Sequence, residues 1–126
     1  MTRSQPTLVW FRDDLRLSDH SALHAAAKTG GPVVGLYVLD EAELARPLGG
    51  ATRWWLAQSL RALQASLQST GAQLVLRRGK AAEALAALAR EIEAEAVYWN
   101  DIAQAPQRAT AARVEAALGA AGVASR

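Results

Sequence analysis

An apolar run near the start of the chain, Leu8-Val-Trp-Phe11, leads directly into a dense charge cluster and then into a helix start. The run is too short for a helix and is rich in residues that favour strands, so it predicts a short buried β-strand. Residues 12–16 supply the charges, and Ser18 or Asp19 can cap the helix that follows. Open α/β sheets bind ligands at such positions, where the carboxyl end of a strand meets a helix start.

Strand-like and helix-like segments alternate along the rest of the sequence. Further strands are predicted at Val33–Leu39, Leu74–Leu76 and Ala96–Trp99, and a fifth strand is predicted to begin at Val123. A turn is predicted at Arg77-Arg-Gly-Lys80. This alternation predicts an α/β fold with a doubly wound parallel sheet of about five strands.

Four amphipathic helices are predicted between these strands. The clearest one carries its leucines on a single stripe, at Leu56, Leu60, Leu63 and Leu67, and has Gly71 where a C-terminal cap belongs. The other predicted bounds are Lys28 for the end of the first helix, Thr52 for the cap of the second, Ala81–Ala94 for the third, and Pro106 or Gln107 to Gly119 or Gly122 for the fourth.

Length and composition limit the classes of function. A chain of 126 residues is expected to form one domain, residues 1–126. It has no cysteine, so disulfides, thiolate zinc sites and thiol nucleophiles are excluded, and neither histidine has metal-site spacing. No segment has the length and hydropathy of a signal peptide core or a membrane helix, so a cytoplasmic location is the expectation.

Common nucleotide-binding and catalytic motifs are also disfavoured. No Gly-x-Gly-x-x-Gly segment follows a predicted strand, and Gly79-Lys80-Ala81 lacks the upstream glycine and the hydroxyl of a P-loop. Ser18, Asp19 and His20 have the residue types of a catalytic triad, but three adjacent residues at a helix start indicate capping. No catalytic residue is therefore assigned to this chain.

Polar residues follow the first and fourth predicted strands. These two strands flank the topological switch point of a doubly wound sheet, so Arg12–Asp14 and Asn100–Asp101 are expected to face one crevice. Residues 12–16 have a second interpretation, in which the charges pair with one another and cap loop amides without binding a ligand. The pattern of residues alone leaves both interpretations open.

The four tryptophans divide into two pairs. Trp10 and Trp99 belong to predicted strands and are expected in the core, because an indole buries a large area. Trp54 and Trp55 are adjacent on a predicted helix, so both cannot point into one core. One of them is available to cover a ligand or a further domain.

The segment Trp10–Leu23, Trp-Phe-Arg-Asp-Asp-Leu-Arg-Leu-Ser-Asp-His-Ser-Ala-Leu, resembles the N-terminal signature of the DNA photolyase and cryptochrome family, Trp-Phe-Arg-x-Asp-Leu-Arg-x-x-Asp-Asn-x-Ala-Leu. The resemblance continues through Pro32–Asp40, Arg53 and the leucine-rich helix, Gly71–Gly79 and Ala96–Asn100, so it covers nearly the whole chain. It implies a three-layer, Rossmann-like domain with helices on both faces. It also implies an accessory light-harvesting chromophore, which is a deazaflavin, a flavin or a folate in this family.

The resemblance further implies which residues surround this antenna chromophore. They are Arg12, Asp14, Tyr37, Arg53, Asn100 and Asp101. Arginines suit a phosphate or an acidic tail, carboxylates suit ring or ribityl donors, and an aromatic side chain can stack on the ring. Relatives commonly continue Asn-x-Asp-x-Glu-Pro-Tyr after the fourth strand, whereas this chain has Asn100-Asp-Ile-Ala-Gln-Ala-Pro106, which leaves the identity of the antenna open.

The function implied by the resemblance is that of an antenna domain within a photolyase, which repairs pyrimidine dimers with light. In that family FAD, the dimer pocket and most DNA contacts belong to a helical C-terminal domain, which is absent from this chain. The expected partners are that domain and, through the full-length protein, damaged DNA, with no membrane and no metal. The alternatives are a cryptochrome-type photoreceptor domain, a free-standing nucleotide- or flavin-binding module, and a docking domain that uses Trp54 and Trp55.

Overall fold

The computed structural model describes residues 6–12, 20–28, 32–39, 50–100 and 105–125. Within these ranges, strands and helices alternate along the chain, as the sequence predicts. The elements are β1 (Thr7–Phe11), α1 (Ser21–Ala27), β2 (Val33–Leu39), α2 (Gly50–Ser69), β3 (Gln73–Arg78), α3 (Ala81–Glu91), β4 (Ala96–Tyr98), α4 (Ala105–Ala120) and β5 (Ala124–Ser125).

The strands form one parallel sheet in the order β3-β2-β1-β4-β5. Four strands make up most of it, and the two-residue β5 extends one edge. The chain winds outward from β1 to β3 and then crosses to β4 on the other side of β1, so the switch point lies between β1 and β4. The prediction of a doubly wound parallel sheet is therefore confirmed.

Helices cover both faces of the sheet, which confirms the three-layer architecture. Leu8 and Trp10 of β1 pack in one core with residues of α3 and α4, whereas Val9 and Phe11 pack in a second core with α1 and α2. All five residues of β1 are buried. A central parallel strand with both faces covered needs a continuous apolar run, and this explains the sequence of β1.

Helix α2 lies close to the sheet because β2 has a glycine beneath it. A Cβ atom at Gly35 would lie 2.9 Å from Cε2 of Phe11, 3.2 Å from Cδ1 of Leu67 and 3.3 Å from Cδ1 of Leu74. Any larger residue at this position would have to displace the ring or the helix. Gly35 therefore sets the distance between α2 and the sheet.

The end of α2 confirms the predicted cap at Gly71. This glycine has φ +88°, its N–H donates to the carbonyl of Gln68 at 3.1 Å, and the N–H of Ala72 donates to the carbonyl of Leu67 at 3.0 Å. These two hydrogen bonds define a Schellman motif, in which a left-handed residue ends the helix. The chain then enters β3 directly.

Two predicted helix starts are wrong. Helix α2 begins at Gly50, so Thr52 lies inside its first turn and is not its cap. Helix α1 is capped by His20, whose side chain accepts the N–H of Leu23, rather than by Ser18 or Asp19, which lie outside the described residues. The acceptor at the cap is an imidazole nitrogen, a role usually filled by hydroxyl, amide or carboxylate oxygens.

The predicted turn at Arg77-Arg-Gly-Lys80 begins too early. Arg77 and Arg78 belong to β3, because they pair with Val38 and Leu39 of β2. The turn starts at Gly79, which has φ +121°. Pairing with β2 therefore extends β3 through two charged residues whose composition suggested a loop.

Candidate functional site

The carboxyl ends of β1 and β4 bring polar side chains to the start of α1. The Oδ1 atom of Asn100 accepts the N–H of Ala22 at 3.0 Å, and Nδ1 of His20 accepts the N–H of Leu23 at 3.0 Å. The Nδ2 atom of Asn100 lies 3.4 Å from Nδ1 of His20. The exit of β4 and the entry of α1 are thus joined at the switch point, where the sequence predicts a crevice.

These contacts occupy the amides that dinucleotide-binding folds offer to phosphate. In such folds the first-turn N–H groups after β1 face the pyrophosphate. Here the N–H groups of Ala22 and Leu23 already donate to side chains of the same chain. This occupation is consistent with the missing glycine-rich motif and disfavours a dinucleotide site at α1.

Arg12 lies at the switch point as predicted, but it is buried. Only 7% of its surface is exposed, and its guanidinium carbon lies 4.4 Å from the centroid of the Trp10 ring. Trp10 in turn contacts the edge of Trp99, with ring centroids 5.4 Å apart and an interplanar angle of 67°. A cation over an indole face is stabilised by the ring quadrupole, so Arg12 anchors the end of β1 as well as adding charge there.

Trp10 and Trp99 were both expected in the core, and the structure confirms this for Trp10 and in part for Trp99. Trp10 is 2% exposed and belongs to the core, whereas Trp99 is half-buried, follows the end of β4 and packs against that core. His20 is fully buried on the opposite face, with its ring centroid 4.9 Å from that of Phe11. Aromatic rings therefore pack below the polar groups of the switch point on both faces.

A cavity of about 290 Å³ lies along the same edge of the sheet, between the carboxyl ends of β2 and β3 and the first half of α2. Its described lining residues are Tyr37, Leu39, Leu56, Leu60, Leu76, Arg77 and Arg78. Tyr37 is the register partner of both Phe11 and Leu76, so its side chain is on the α2 face of the sheet. The walls of the cavity are thus mainly leucine, with one aromatic ring and cationic groups.

Arg53 lies on the cavity side of α2. It precedes Leu56 and Leu60 by three and seven residues, and this spacing puts all three on one face of the helix. Helix α2 runs opposite to the strands, so its first turns are level with the carboxyl ends of β2 and β3. The exposed Arg53 side chain is consequently near the carboxyl edge of the sheet, beyond the described lining of the cavity.

The structure separates the six predicted site residues into groups. Arg12 and Asn100 are at the switch point, whereas Tyr37 lines the cavity one strand further along the edge and Arg53 is exposed in the first turn of α2. Asp14 and Asp101 lie outside the described residues. Arg78 was missed, and the signal that could have identified it is its position two residues after Leu76, on the same face of β3 as the apolar lining.

Trp54 and Trp55 are both exposed, at 56% and 66%. Their rings pack edge to face, with centroids 5.2 Å apart and an interplanar angle of 83°. Their positions in α2 place them away from the buried stripe of Leu63 and Leu67. The expectation that both cannot enter one core is confirmed, and the pair forms an aromatic surface on α2.

The described residues at this edge of the sheet supply groups that can bind a ligand. Among all the residues that the structure describes, no group of three or more histidine, aspartate or glutamate side chains is placed to hold a metal ion. The described helices also include none that is long and apolar enough to cross a bilayer. What the sheet edge offers is an apolar cavity, a tyrosine ring and arginine side chains, a set suited to an aromatic ligand with anionic groups.

Comparison with known proteins gives consistent results. The family model described as DNA photolyase matches residues 7–126. Over 98 residues the chain is 49% identical to a deoxyribodipyrimidine photo-lyase of Agrobacterium fabrum, which covers 78% of this chain and 20% of that protein. It is 36% identical over 107 residues to a cryptochrome DASH of Synechocystis sp., covering 79% of this chain and 22% of that protein.

A solved structure agrees with these sequence matches. The crystal structure of a bacterial class III photolyase from Agrobacterium tumefaciens superimposes with a TM-score of 0.89 at 42% identity. The superposition covers 100% of this chain and 26% of that one. The chain therefore spans about a quarter or less of the length of these relatives.

Proposed function

The chain belongs to the DNA photolyase family, and we propose that it is the light-harvesting-chromophore domain of a photolyase that repairs pyrimidine dimers in DNA. In this proposal residues 1–126 form the antenna domain, and a C-terminal domain supplies FAD, the dimer pocket and most contacts to damaged DNA. The relatives are four to five times longer than the part they share with this chain, which leaves room for such a domain.

The observation that carries the proposal is the cavity between α2 and the ends of β2 and β3. Ligand pockets usually measure about 300–1,000 Å³ and combine apolar walls with a few polar groups. At about 290 Å³ the cavity is at the small end of this range, so it suits a ring system better than a whole dinucleotide. Leu56, Leu60 and Leu76 supply apolar walls, and Tyr37 can stack on a planar ring.

An antenna must be held rigidly, because energy transfer depends on the orientation and distance of the chromophore. Helix α2 and the sheet are fixed against each other by the core around Phe11, Leu63 and Leu67. Side chains placed on packed helices and strands are positioned more precisely than those on loops. The cavity thus offers a rigid frame, and a deazaflavin, a flavin or a folate is the class of ligand we assign to it.

The proposal is tested by binding. The purified chain is mixed with FMN, FAD, a deazaflavin and a reduced folate, and retention is measured by absorbance and fluorescence after gel filtration. We expect one chromophore to be retained near one equivalent, and Tyr37→Ala to reduce that retention while the circular dichroism spectrum is unchanged. Arg61→Ala is the control, since Arg61 is exposed on α2 and outside the cavity lining. Folded chain that retains none of the four chromophores would contradict the proposal.

A cryptochrome-type photoreceptor is the second candidate, and the identity to a cryptochrome DASH favours it. The two candidates differ in the activity of the full-length protein rather than in this domain. Illumination of the full-length protein with ultraviolet-damaged DNA separates them, because a photolyase restores the intact pyrimidines. The occupied amides of Ala22 and Leu23 make a free-standing dinucleotide-binding module the weakest of the alternatives.

A further inference from the structure

We propose that the cavity selects chromophores with an anionic tail and that Arg78 of β3 is the residue that binds this tail. The inference rests on the proposed function, because it concerns the ligand of the same cavity. It adds the charge of the ligand and a specificity-determining residue that the sequence did not indicate.

The register of the sheet directs Arg78 toward the cavity. Side chains alternate between faces along a strand, so Leu74, Leu76 and Arg78 share one face of β3. Leu74 packs in the core with α1 and α2, which identifies this face as the α2 side. Arg78 therefore continues the row of Leu76 at the carboxyl end of β3, opposite Leu39 of β2.

Arg77 differs from its neighbour. Alternation turns its side chain toward the other face of the sheet, although the residue borders the cavity. Its Nη1 atom donates to the carbonyl of Leu76 at 3.1 Å. This hydrogen bond holds the Arg77 side chain along the strand, so Arg78 is the better placed of the two to reach a ligand.

The described residues that line the cavity carry charge of one sign only. The described lining residues of the cavity include two arginines and no acidic residue. Arg78 is exposed, and within the described ranges its guanidinium makes no ion pair. A guanidinium can bind a phosphate or a carboxylate with two parallel hydrogen bonds, which gives both affinity and orientation.

The cavity is apolar at its inner end and cationic at its outer end. Leu56, Leu60 and Tyr37 line the part between α2 and the sheet, whereas Arg53 and Arg78 are at the carboxyl edge. A ligand with a planar ring and a charged chain fits this gradient in one orientation, ring inward and chain toward the edge. A ligand with an uncharged tail would gain no binding free energy from the charges of these arginines.

The experiment uses chromophore pairs that differ only in the charge of the tail. They are riboflavin and FMN, a deazaflavin with and without its phosphate, and a reduced folate with one and with several glutamates. Dissociation constants are measured by fluorescence on the 126-residue chain. In the pair that binds, we expect the more negative member to bind at least about tenfold more tightly, and Arg78→Gln to reduce this preference to less than about threefold.

Control measurements separate loss of the Arg78 charge from general disruption of the domain. A pair member with an uncharged tail should bind Arg78→Gln as well as it binds the unaltered chain, and the folate with one glutamate should lose less affinity than the folate with several. Arg61→Gln removes the same charge from the exposed side of α2 and should keep the full preference. Higher salt should weaken binding of the more negative member more than that of the less negative one.

The outcomes distinguish this inference from the proposed function. Equal affinity within the pair that binds, or an unchanged preference in Arg78→Gln, overturns the role of Arg78 and leaves the antenna function in place. Failure of all three pairs to bind the folded chain overturns both. A preference that is lost in Arg78→Gln and kept in Arg61→Gln supports the inference.

Discussion

His20 and Asn100 lie 3.4 Å apart between Nδ1 and Nδ2, although 80 residues separate them in the sequence. Each accepts one N–H from the first turn of α1, that of Leu23 for His20 and that of Ala22 for Asn100. The turn after β1 and the exit of β4 are therefore held together by side chains. The first-turn amides of Ala22 and Leu23 at the switch point are thus occupied by side chains of the same chain, and the cavity lined by Tyr37 lies one strand further along the edge.

The cap at His20 predicts a contribution of this side chain to stability. Its Nδ1 atom accepts the N–H of Leu23 at 3.0 Å, and the ring is fully buried beside Phe11. Removal of the imidazole leaves the first turn of α1 without this acceptor, so the free energy of unfolding should fall. Urea denaturation measures the effect.

Two variants test this role. His20→Ala should cost about 1–2 kcal/mol, because the cap is lost. Asparagine is a favourable N-cap, so we expect His20→Asn to lose less stability than His20→Ala. Equal stability of His20→Ala and the unaltered chain would contradict the role of the imidazole.

Arg53→Ala is expected to weaken chromophore retention without unfolding the domain. Arg53 is exposed on the cavity side of α2, so its removal takes away a charge near the ligand and leaves the core intact. We expect roughly a tenfold loss of affinity, the size typical of a hydrogen bond to a charged group. Fluorescence titration measures it, with Arg61→Ala as the matched change on the exposed face of α2. Unchanged retention in folded Arg53→Ala would count against this assignment.

The double variant Trp54→Ser, Trp55→Ser tests the aromatic surface on α2. Both indoles are more than half exposed, so their loss should change the free energy of unfolding by less than about 0.5 kcal/mol each. Adjacent exposed aromatic rings commonly mark a contact surface, and we expect concentration-dependent association of the chain that disappears in the variant. Analytical ultracentrifugation measures association, and equal association of Arg61→Ser and the unaltered chain is the control. Association that persists in the double variant would exclude this surface.

Glu93→Gly is expected to stabilise the chain by up to about 1 kcal/mol. Glu93 has φ +54°, and the N–H of Ala94 donates to the carbonyl of Ala89 at 2.9 Å, so it occupies the left-handed position of the Schellman motif that ends α3. Glycine adopts this conformation without the steric cost of a Cβ atom. Gly71→Ala makes the opposite change at the end of α2 and should destabilise the chain by about 1 kcal/mol. Thermal unfolding compares the two, and a lower midpoint for Glu93→Gly would refute the expectation.

Elements with strong local signals could be predicted from the sequence. The bounds of β2 agree with the predicted Val33–Leu39, because an apolar run between turn residues defines both of its ends. Gly71 could be predicted as the end of α2, because glycine adopts the positive φ that this position requires. The parallel, doubly wound arrangement, with β1 and β4 at the switch point, followed from the alternation of elements and the rules for parallel crossovers.

Features that depend on distant contacts could not be predicted. β3 continues through Arg77 and Arg78 because β2 supplies hydrogen-bonding partners, and no local property of two arginines indicates this. The start of α1 is fixed by Asn100, which is 78 residues from Ala22. The grouping of Tyr37 with the leucines of α2 around a cavity depends on the register of the sheet, which no motif indicates.

The absence of a side chain at Gly35 links the core to the cavity. An alanine there would bring Cβ to 2.9 Å from the Phe11 ring and 3.2 Å from Leu67, so the ring or α2 would have to move. Helix α2 is continuous over 20 residues and about 30 Å long, so a displacement at Leu67 would tilt Leu56 and Leu60 against the sheet. Residue 35 therefore sets the width of the cavity between Tyr37 and α2, although it is not among the described residues that line the cavity.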